Sequence, residues 1–243
     1  IIVHTWGNAA EIDSIIKICK KQNIRIIEDA SESLGTFYKN GKYKKKHTGT
    51  ISDIGCISFN ANKIITTGGG GMILTQNKIL AKKAEYLVTQ AKDNSFKFIH
   101  NSIGYNYKMN NIAAAIGIAQ FMNFKKILKS KKEIHKEYLK NFKNSSNFSI
   151  LTPPSFSQSN FWLNLLIIKN KKIKIKNLIN KLLFNNIDVR PVWHPNNLQK
   201  PYLRFESYGT DGDIEILKNT LCLPSSINLS KKKIYQICKI INE

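Results

Sequence analysis

Long apolar runs and paired cysteines are both scarce in this chain of 243 residues. No stretch approaches the roughly 20 consecutive apolar residues of a membrane-spanning helix, so we expect no membrane partner. A basic start with an apolar stretch and a cleavage site is also lacking, which argues against a secretory signal. The four cysteines form no Cys-x-x-Cys pair, a pattern that favours buried thiols in a cytoplasmic protein over disulfides or a zinc site.

Arginine is also scarce, because only three of the 38 cationic residues are arginines. The formal charge of +22 raises the alternative of a nucleic-acid-binding protein. Proteins that recognise base edges use the bidentate guanidinium group, which lysine does not provide. The lysine-rich runs 42–46 and 169–176 are typical of solvated loops. We therefore expect no nucleic-acid partner, although a basic surface favours the approach of an anionic substrate.

The order of apolar patterns predicts an α/β fold with two domains. Short apolar runs predict strands at 24–28, 54–59, 72–75 and 161–168. Helical spacing predicts helices at 9–22, 78–90, 112–143 and from about 231. This order indicates a larger α/β domain at 1–150 and a smaller domain at 151–243. The chain opens at Ile1 within a strand-like run, so we expect that an N-terminal part of the parent protein is missing.

Lys63 is the most informative residue, because it follows a predicted buried strand and precedes four glycines at 68–71. Burial disfavours the ammonium form and lowers the pKa of a lysine, as an amine nucleophile requires. Asp29 ends another predicted buried strand. A lysine that binds a carbonyl carbon and a carboxylate that keeps a pyridine nitrogen protonated are parts of pyridoxal phosphate chemistry. The pair predicts a pyridoxal 5'-phosphate site in which Lys63 and Asp29 are catalytic.

Neighbouring residues extend this predicted site. Ser58 precedes Lys63 by five residues, and its hydroxyl is a candidate phosphate ligand, with a backbone contact as the alternative. Glu32 is a candidate for contact with the cofactor ring, and a capping role is the alternative. The glycines at 68–71 are not followed by Lys-Ser/Thr, so they predict a tight turn and not a phosphate-binding P-loop.

Polar and aromatic residues at 104–110 precede an alanine-rich helix. The Asn106 amide is a candidate phosphate donor, with an ordinary polar loop as the alternative. Substrate contacts are expected from four further residues, for which structural roles are the alternative: Tyr107, Lys108, Arg190 and His194. The other histidines lack ligand spacing, so we expect no metal site.

The segments 28–35, 58–71 and 104–107 together resemble the DegT/DnrJ/EryC1/StrS family of pyridoxal phosphate-dependent sugar-nucleotide aminotransferases. The resemblance covers essentially the whole chain and the later two-thirds of a usual family member. It implies the aspartate aminotransferase fold (fold type I), with an incomplete large domain and a smaller α+β domain. It also implies a homodimer with shared active sites, in which Asn106 reaches the phosphate of the neighbouring subunit's cofactor.

The resemblance further implies that an amino group moves from L-glutamate to a keto group of a nucleotide-linked sugar. The most similar branch acts on UDP-4-keto-6-deoxy-N-acetylhexosamines in the synthesis of cell-surface glycans. Lys63 argues against a dehydrating relative that carries histidine at this position. Two residues depart from the family pattern, Gly69 where many members have glutamate and Lys108 where arginine is usual. The alternative is a non-catalytic fragment that binds the cofactor or the sugar nucleotide without turnover.

Overall fold

The computed structural model describes residues 1–243. The chain divides into two compact units. Unit 1 comprises Ile1–Lys129 and Pro153–Trp162, and unit 2 comprises Ser130–Thr152 and Leu163–Glu243. The sequence pattern predicts a single domain boundary between 145 and 155. The two structural units instead meet at three points of the sequence, after residues 129, 152 and 162. The difference arises because the segment that follows the paired prolines returns to unit 1.

Ten short strands form three sheets. In chain order they are β1 (Ile2–Val3), β2 (Ile27–Asp29), β3 (Phe37–Tyr38), β4 (Ile54–Ser58), β5 (Gly71–Leu74), β6 (Phe148–Ile150), β7 (Ser157–Gln158), β8 (Asn164–Ile168), β9 (Arg190–Pro191) and β10 (Thr220–Leu223). The strand predicted at 161–168 begins only at Asn164. Phe161 has a φ of +54°, which is incompatible with extended backbone.

Seven α-helices accompany the strands. They are α1 (Asp13–Lys21), α2 (Lys78–Val88), α3 (Asn111–Met122), α4 (Phe124–Phe142), α5 (Ile175–Phe184), α6 (Asp213–Asn219) and α7 (Lys231–Asn242). The predicted continuous helix over 112–143 is wrong, because the chain leaves helical geometry at Asn123 and divides there into α3 and α4. No helix combines the length and the apolar character needed to span a membrane.

The main sheet of unit 1 has the strand order β1-β2-β4-β5. The strands β1, β2 and β4 run parallel, and β5 is antiparallel to β4. The carboxyl ends of parallel strands meet at one edge of a sheet, where α/β folds bind ligands. Asp29 ends β2 at this edge, and the chain leaves β4 there for the loop that carries Lys63. The sheet thus brings the two predicted catalytic residues to the same edge.

Helix α3 is apolar apart from Asn111 and Gln120, and it buries none of its residues. The Asn110 side chain caps its first turn by accepting a hydrogen bond from the backbone N–H of Ala113 at 2.8 Å. Ile112 is 76% exposed, and further isoleucine, phenylalanine and methionine side chains of the helix are also exposed. An apolar surface of this kind is typical of an interaction site.

Unit 2 contains an antiparallel sheet with the order β6-β8-β10-β9. Strand β10 is buried along its whole length and pairs with both β8 and β9. Side chains from α4, α5 and α7 pack with the sheet into one apolar core, in which Tyr138, Leu166 and Leu221 are fully buried. The sequence pattern does not predict β10, because its four residues follow α6 directly and are too few to show a periodicity.

Glu28 precedes Asp29 on β2 and points to the opposite face of the sheet, because side chains alternate along a strand. Its side chain is fully buried. The carboxylate accepts hydrogen bonds from three backbone N–H groups, those of Gly49, Ile51 and Ser52, at 2.7 to 2.8 Å. His4 Nε2 donates a fourth at 3.0 Å, while His4 Nδ1 accepts from the Ala10 N–H. Burial alone would raise the pKa of Glu28, but these hydrogen bonds lower it to about 2.

We expect Glu28→Gln to lower the free energy of unfolding at pH 7 by about 3 kcal/mol, because an amide cannot accept from all of these donors. The folded-state pKa is depressed, so the contribution is complete above about pH 4.5 and is lost as the pH falls towards 2. Urea unfolding of both proteins between pH 7 and pH 3 measures this difference. The matched control is the exposed Glu133→Gln, with an expected change within about 0.5 kcal/mol. Equal acid sensitivity in Glu28→Gln and the parent chain would contradict the assignment.

Candidate active site

Asp29 lies where β2 ends, and it is half-buried. Its Oδ1 accepts a hydrogen bond from the backbone N–H of Ser31 at 3.0 Å. The register places Asp29 beside Cys56 of β4, and β4 ends two residues later at Ser58. Because side chains of paired strands alternate together, Asp29, Cys56 and Ser58 share one face of the sheet. The predicted ring partner and the predicted phosphate ligand therefore lie on the same face.

Lys63 lies in a turn directly after β4, where its backbone N–H donates to the Asn60 carbonyl at 3.0 Å. Its side chain is 13% exposed. The ammonium Nζ lies 4.0 Å from Glu32 Oε1 and 4.3 Å from the centroid of the Trp162 ring. Burial lowers the pKa of Lys63, and the carboxylates of Glu32 and Asp29 oppose this shift only in part. The amine is thus enclosed and biased towards its neutral, nucleophilic form.

Glu32 connects Lys63 to the start of the chain. Its Oε2 accepts a hydrogen bond from the backbone N–H of Trp6 at 2.7 Å, while Oε1 faces Lys63. Burial raises the pKa of Glu32, Asp29 raises it further, and the Trp6 hydrogen bond and Lys63 lower it. This contact is with a residue 26 positions earlier, and the predicted contact of Glu32 with the cofactor ring stays a prediction.

The glycine run forms the turn that the sequence predicts. Ser58, the last residue of β4, pairs with Gly71, the first residue of β5, so these two strands flank the loop that contains Lys63. Gly68 and Gly70 have φ values of +81° and +101°, where a side chain would be strained. The Ser58 Oγ accepts a hydrogen bond from the Asn60 N–H at 3.2 Å, which leaves the hydroxyl hydrogen available to a ligand.

Two of the predicted substrate residues line a cavity of about 700 Å³ in unit 1. Tyr107 and Lys108 form part of its wall, together with Cys56, the end of the glycine run and one side of α2. The Tyr107 ring stacks on that of Tyr105, with ring centroids 5.1 Å apart. Lys108 Nζ lies 4.0 Å from Glu85 Oε1 on α2. The cavity therefore places these two residues beside the β4–β5 end of the sheet.

The remaining predicted residues are exposed. Asn106 forms an isolated backbone bridge with Thr89 and presents its amide to solvent. Arg190 lies on β9 in unit 2, where it forms an ion pair of 3.2 Å with Asp188. His194 is exposed in the same unit, and its carbonyl accepts from Gln199 at 3.4 Å. The structure therefore places Lys63, Glu32, Asp29 and Ser58 at one edge of the sheet and does not bring Asn106, Arg190 and His194 to them, and the roles of all these residues stay predictions.

The sequence pattern does not predict two residues that complete the Lys63 environment. Trp162 and Asn160 belong to the segment that returns to unit 1, about 100 positions after Lys63. The Trp162 Nε1 donates to the Asn62 carbonyl at 2.7 Å. Asn160 Nδ2 donates to the carbonyls of Glu32 and Leu34, at 2.9 Å each. Local periodicity carries no signal for pairings at such sequence separations.

The groups at this edge fit pyridoxal phosphate. A half-buried amine with a lowered pKa suits the aldehyde carbon, and the Asp29 carboxylate, whose charge acts on that amine, suits the ring nitrogen. A serine hydroxyl on the same face suits a phosphate oxygen. No group of three or more histidine, cysteine or acidic residues has the geometry of a metal site.

Comparison with known proteins identifies the family. The model of the DegT/DnrJ/EryC1/StrS aminotransferase family matches residues 1–242. The chain belongs to this family. It is 31% identical over 245 residues to EpsN of Bacillus subtilis, a putative pyridoxal phosphate-dependent aminotransferase, with 99% of this chain and 62% of EpsN aligned. It is 33% identical over 242 residues to the GDP-perosamine synthase of Escherichia coli O157:H7, with 99% of this chain and 64% of that enzyme aligned.

Solved structures show the same fold. Helicobacter pylori PseC, an aminotransferase of pseudaminic acid biosynthesis, superimposes with a TM-score of 0.88 at 24% identity, over 99% of this chain and 64% of PseC. The pyridoxal phosphate form of Spr1654 from Streptococcus pneumoniae superimposes with a TM-score of 0.86 at 21% identity, over 98% of this chain and 66% of Spr1654. The predicted family and fold type are confirmed, and the aminotransferases of this family depend on pyridoxal phosphate. The chain spans less than two-thirds of the length of EpsN and of the GDP-perosamine synthase.

Proposed function

We propose that this chain carries the cofactor lysine and much of the cofactor site of a pyridoxal phosphate-dependent sugar-nucleotide aminotransferase. The observation that supports the proposal is the position of Lys63. Its amine lies between Glu32 and Trp162, at the sheet edge where Asp29 ends β2. In the reaction, L-glutamate gives up its amino group and leaves as 2-oxoglutarate. The keto carbon of the nucleotide-linked sugar then receives that amino group.

Lys63 has two tasks in this proposal. Its neutral amine attacks an aldehyde carbon, for which the lowered pKa increases the reactive fraction at neutral pH. Once released by the amino substrate, the same amine would accept a proton from the substrate carbon and deliver it to a carbon of the cofactor. When bound, pyridoxal phosphate supplies the electron sink that makes this proton acidic.

Asp29 and Ser58 orient the cofactor in this proposal. The Asp29 carboxylate keeps a proton on the ring nitrogen, and its Ser31 hydrogen bond fixes one oxygen so that the other is presented to the ring. Ser58 donates its hydroxyl hydrogen to a phosphate oxygen. Glu32 faces the Lys63 amine and keeps its charge compensated while the amine is protonated.

We also propose the substrate class and the assembly. A UDP-4-keto-6-deoxy-N-acetylhexosamine fits the resemblance of segments 68–71, 90–93, 105–107 and 190–193 to the branch that aminates such sugars for cell-surface glycans. A Campylobacter jejuni relative named as a UDP-4-amino-4,6-dideoxy-N-acetyl-beta-L-altrosamine transaminase is 31% identical over 197 residues, which supports this class. The exposed apolar surface of α3 supports a homodimer with shared sites, in which Asn106 serves the neighbouring subunit. We propose the cytoplasm as its location, in line with the four cysteines, none of which is paired.

The proposal is tested by incubating the chain with pyridoxal phosphate, reducing with borohydride and mapping the modified peptide by mass spectrometry. We expect a stoichiometric adduct on Lys63, because its amine is enclosed beside Glu32 and lies at the sheet edge where Asp29 ends β2. The control is the exposed Lys44, which has the same chemistry and none of these contacts. Labelling that is spread equally over the many lysines would contradict the proposal. An adduct on Lys63 without transamination of the sugar nucleotide would favour the non-catalytic alternative.

A further inference from the structure

Trp162 makes two separate contacts with the Lys63 turn. It is 3% exposed and belongs to the segment Pro153–Trp162, which returns to unit 1. Its Nε1 donates to the carbonyl of Asn62, the residue before Lys63, at 2.7 Å. Its ring lies 4.3 Å from Lys63 Nζ. One side chain therefore holds the backbone of the turn and covers the amine that the turn carries.

The position of Trp162 is fixed by Asn160. The backbone N–H of Trp162 donates to Asn160 Oδ1 at 2.8 Å. The Asn160 amide nitrogen donates to the carbonyls of Glu32 and Leu34, at 2.9 Å each. Because Asn160 is itself buried, these bonds are protected from competition with water. The same segment thus fixes the Trp162 ring and, through Asn160, the backbone of Glu32, whose carboxylate faces Lys63.

We propose that Trp162 is a positioning residue, whose indole holds the Lys63 amine in place and excludes water from it. The proposal rests on the proposed function, because the amine matters only if Lys63 binds the cofactor. It adds a residue that acts through Lys63 and has no part in the transfer itself. The contact with the ring and the hydrogen bond to Asn62 carry the proposal independently of each other.

The two effects of the ring on the amine oppose each other. A ring face attracts an ammonium group and favours the charged form. The bulk of the ring removes water from the amine and favours the neutral form. Burial is the largest cause of the altered pKa of Lys63, and the pKa is lowered overall although two carboxylates oppose the shift. Trp162 is 3% exposed and the Lys63 side chain is 13% exposed, so we take exclusion of water as the larger effect of the ring, and its loss is expected to raise the pKa of Lys63.

Competitive labelling with acetic anhydride tests this proposal without any cofactor. The acetylation rate of Lys63 is followed by peptide mass spectrometry from pH 6 to pH 11, in the parent chain and in Trp162→Leu. We expect the midpoint to rise by about one unit in Trp162→Leu, with about tenfold slower labelling at pH 7. Trp162→Phe keeps a ring over the amine, so its midpoint is expected to stay near that of the parent chain. Its labelling at pH 7 is expected to change less than threefold.

Phe184→Leu is the matched control, because Phe184 is an exposed aromatic residue of α5. Its loss is expected to leave the midpoint of Lys63 acetylation unchanged. Circular dichroism establishes that each variant is folded, and Trp162→Met replaces the leucine variant if that variant fails to fold. An unchanged or lower midpoint in the folded variant would overturn the proposal. An absent pyridoxal phosphate adduct on Lys63 of the parent chain would instead refute the proposed function, and the acetylation result would still stand.

Discussion

Replacing Lys63 with alanine is expected to abolish covalent binding of pyridoxal phosphate and to lower transamination by at least about 10³-fold. The Lys63 amine is the one that lies between Glu32 and the Trp162 ring. The side chain is largely enclosed, so alanine leaves a space beside two carboxylates that lose their cation. The pKa of Glu32 is therefore expected to rise further. Absorbance of the bound cofactor and single-turnover rates with L-glutamate measure the effect.

Two controls separate loss of the amine from loss of the fold. Lys44→Ala removes an exposed lysine from a loop and is expected to leave both readouts unchanged. A small primary amine such as ethylamine, added to Lys63→Ala, is expected to restore part of the rate in proportion to its concentration, because it supplies the missing nucleophile. A normal covalent adduct in Lys63→Ala would show that another lysine binds the cofactor.

The central residues of the candidate site are predictable because they are local to strand ends. Asp29 follows a short apolar run, Ser58 ends the next strand of the sheet, and Lys63 follows that strand. Parallel pairing of two such strands places their carboxyl ends together, so a sequence that ends both strands in reactive residues also predicts that they meet. The glycines after Lys63 add the turn that brings the chain back as β5.

The walls of the site are not predictable in this way. Trp162 and Asn160 reach the Lys63 turn only because the chain after Pro153 returns to unit 1. No local periodicity in the sequence predicts this long-range packing, and the apolar run around Phe161 instead predicts a strand. The positive φ of Phe161 breaks that strand, and the next residue, Trp162, donates its indole N–H to Asn62. Helix α3 shows the same limit, since its division from α4 at Asn123 interrupts an otherwise helical pattern.

Strand β2 illustrates how one sequence position serves the fold and the next serves the chemistry. Glu28 and Asp29 are adjacent carboxylates that face opposite sides of the sheet. Glu28 is fully buried, and its hydrogen bonds to the 49–52 loop fix the strand. Asp29 is half-buried and faces the candidate site with few bonds of its own. Adjacent acidic residues are therefore distinguished by their hydrogen bonds, which composition does not reveal.

Replacing Asp29 with asparagine is expected to lower transamination at least about 100-fold while leaving the adduct on Lys63 intact. An amide cannot hold a proton on the ring nitrogen, and loss of one preorganised charge has effects of this size. The fold is expected to persist, because the asparagine Oδ1 can still accept from the Ser31 N–H. Borohydride mapping and single-turnover kinetics with L-glutamate separate attachment from transfer.

The same variant also makes an electrostatic prediction that does not depend on turnover. Asp29 raises the pKa of both Lys63 and Glu32, so removal of its charge is expected to lower both. The midpoint of Lys63 acetylation therefore shifts to lower pH in Asp29→Asn, opposite to the shift expected for Trp162→Leu. The exposed Asp211→Asn is the matched control and is expected to leave the midpoint in place. Transamination at nearly the parental rate would show that another group holds the ring nitrogen, whereas loss of both the adduct and the fold would assign Asp29 a structural role.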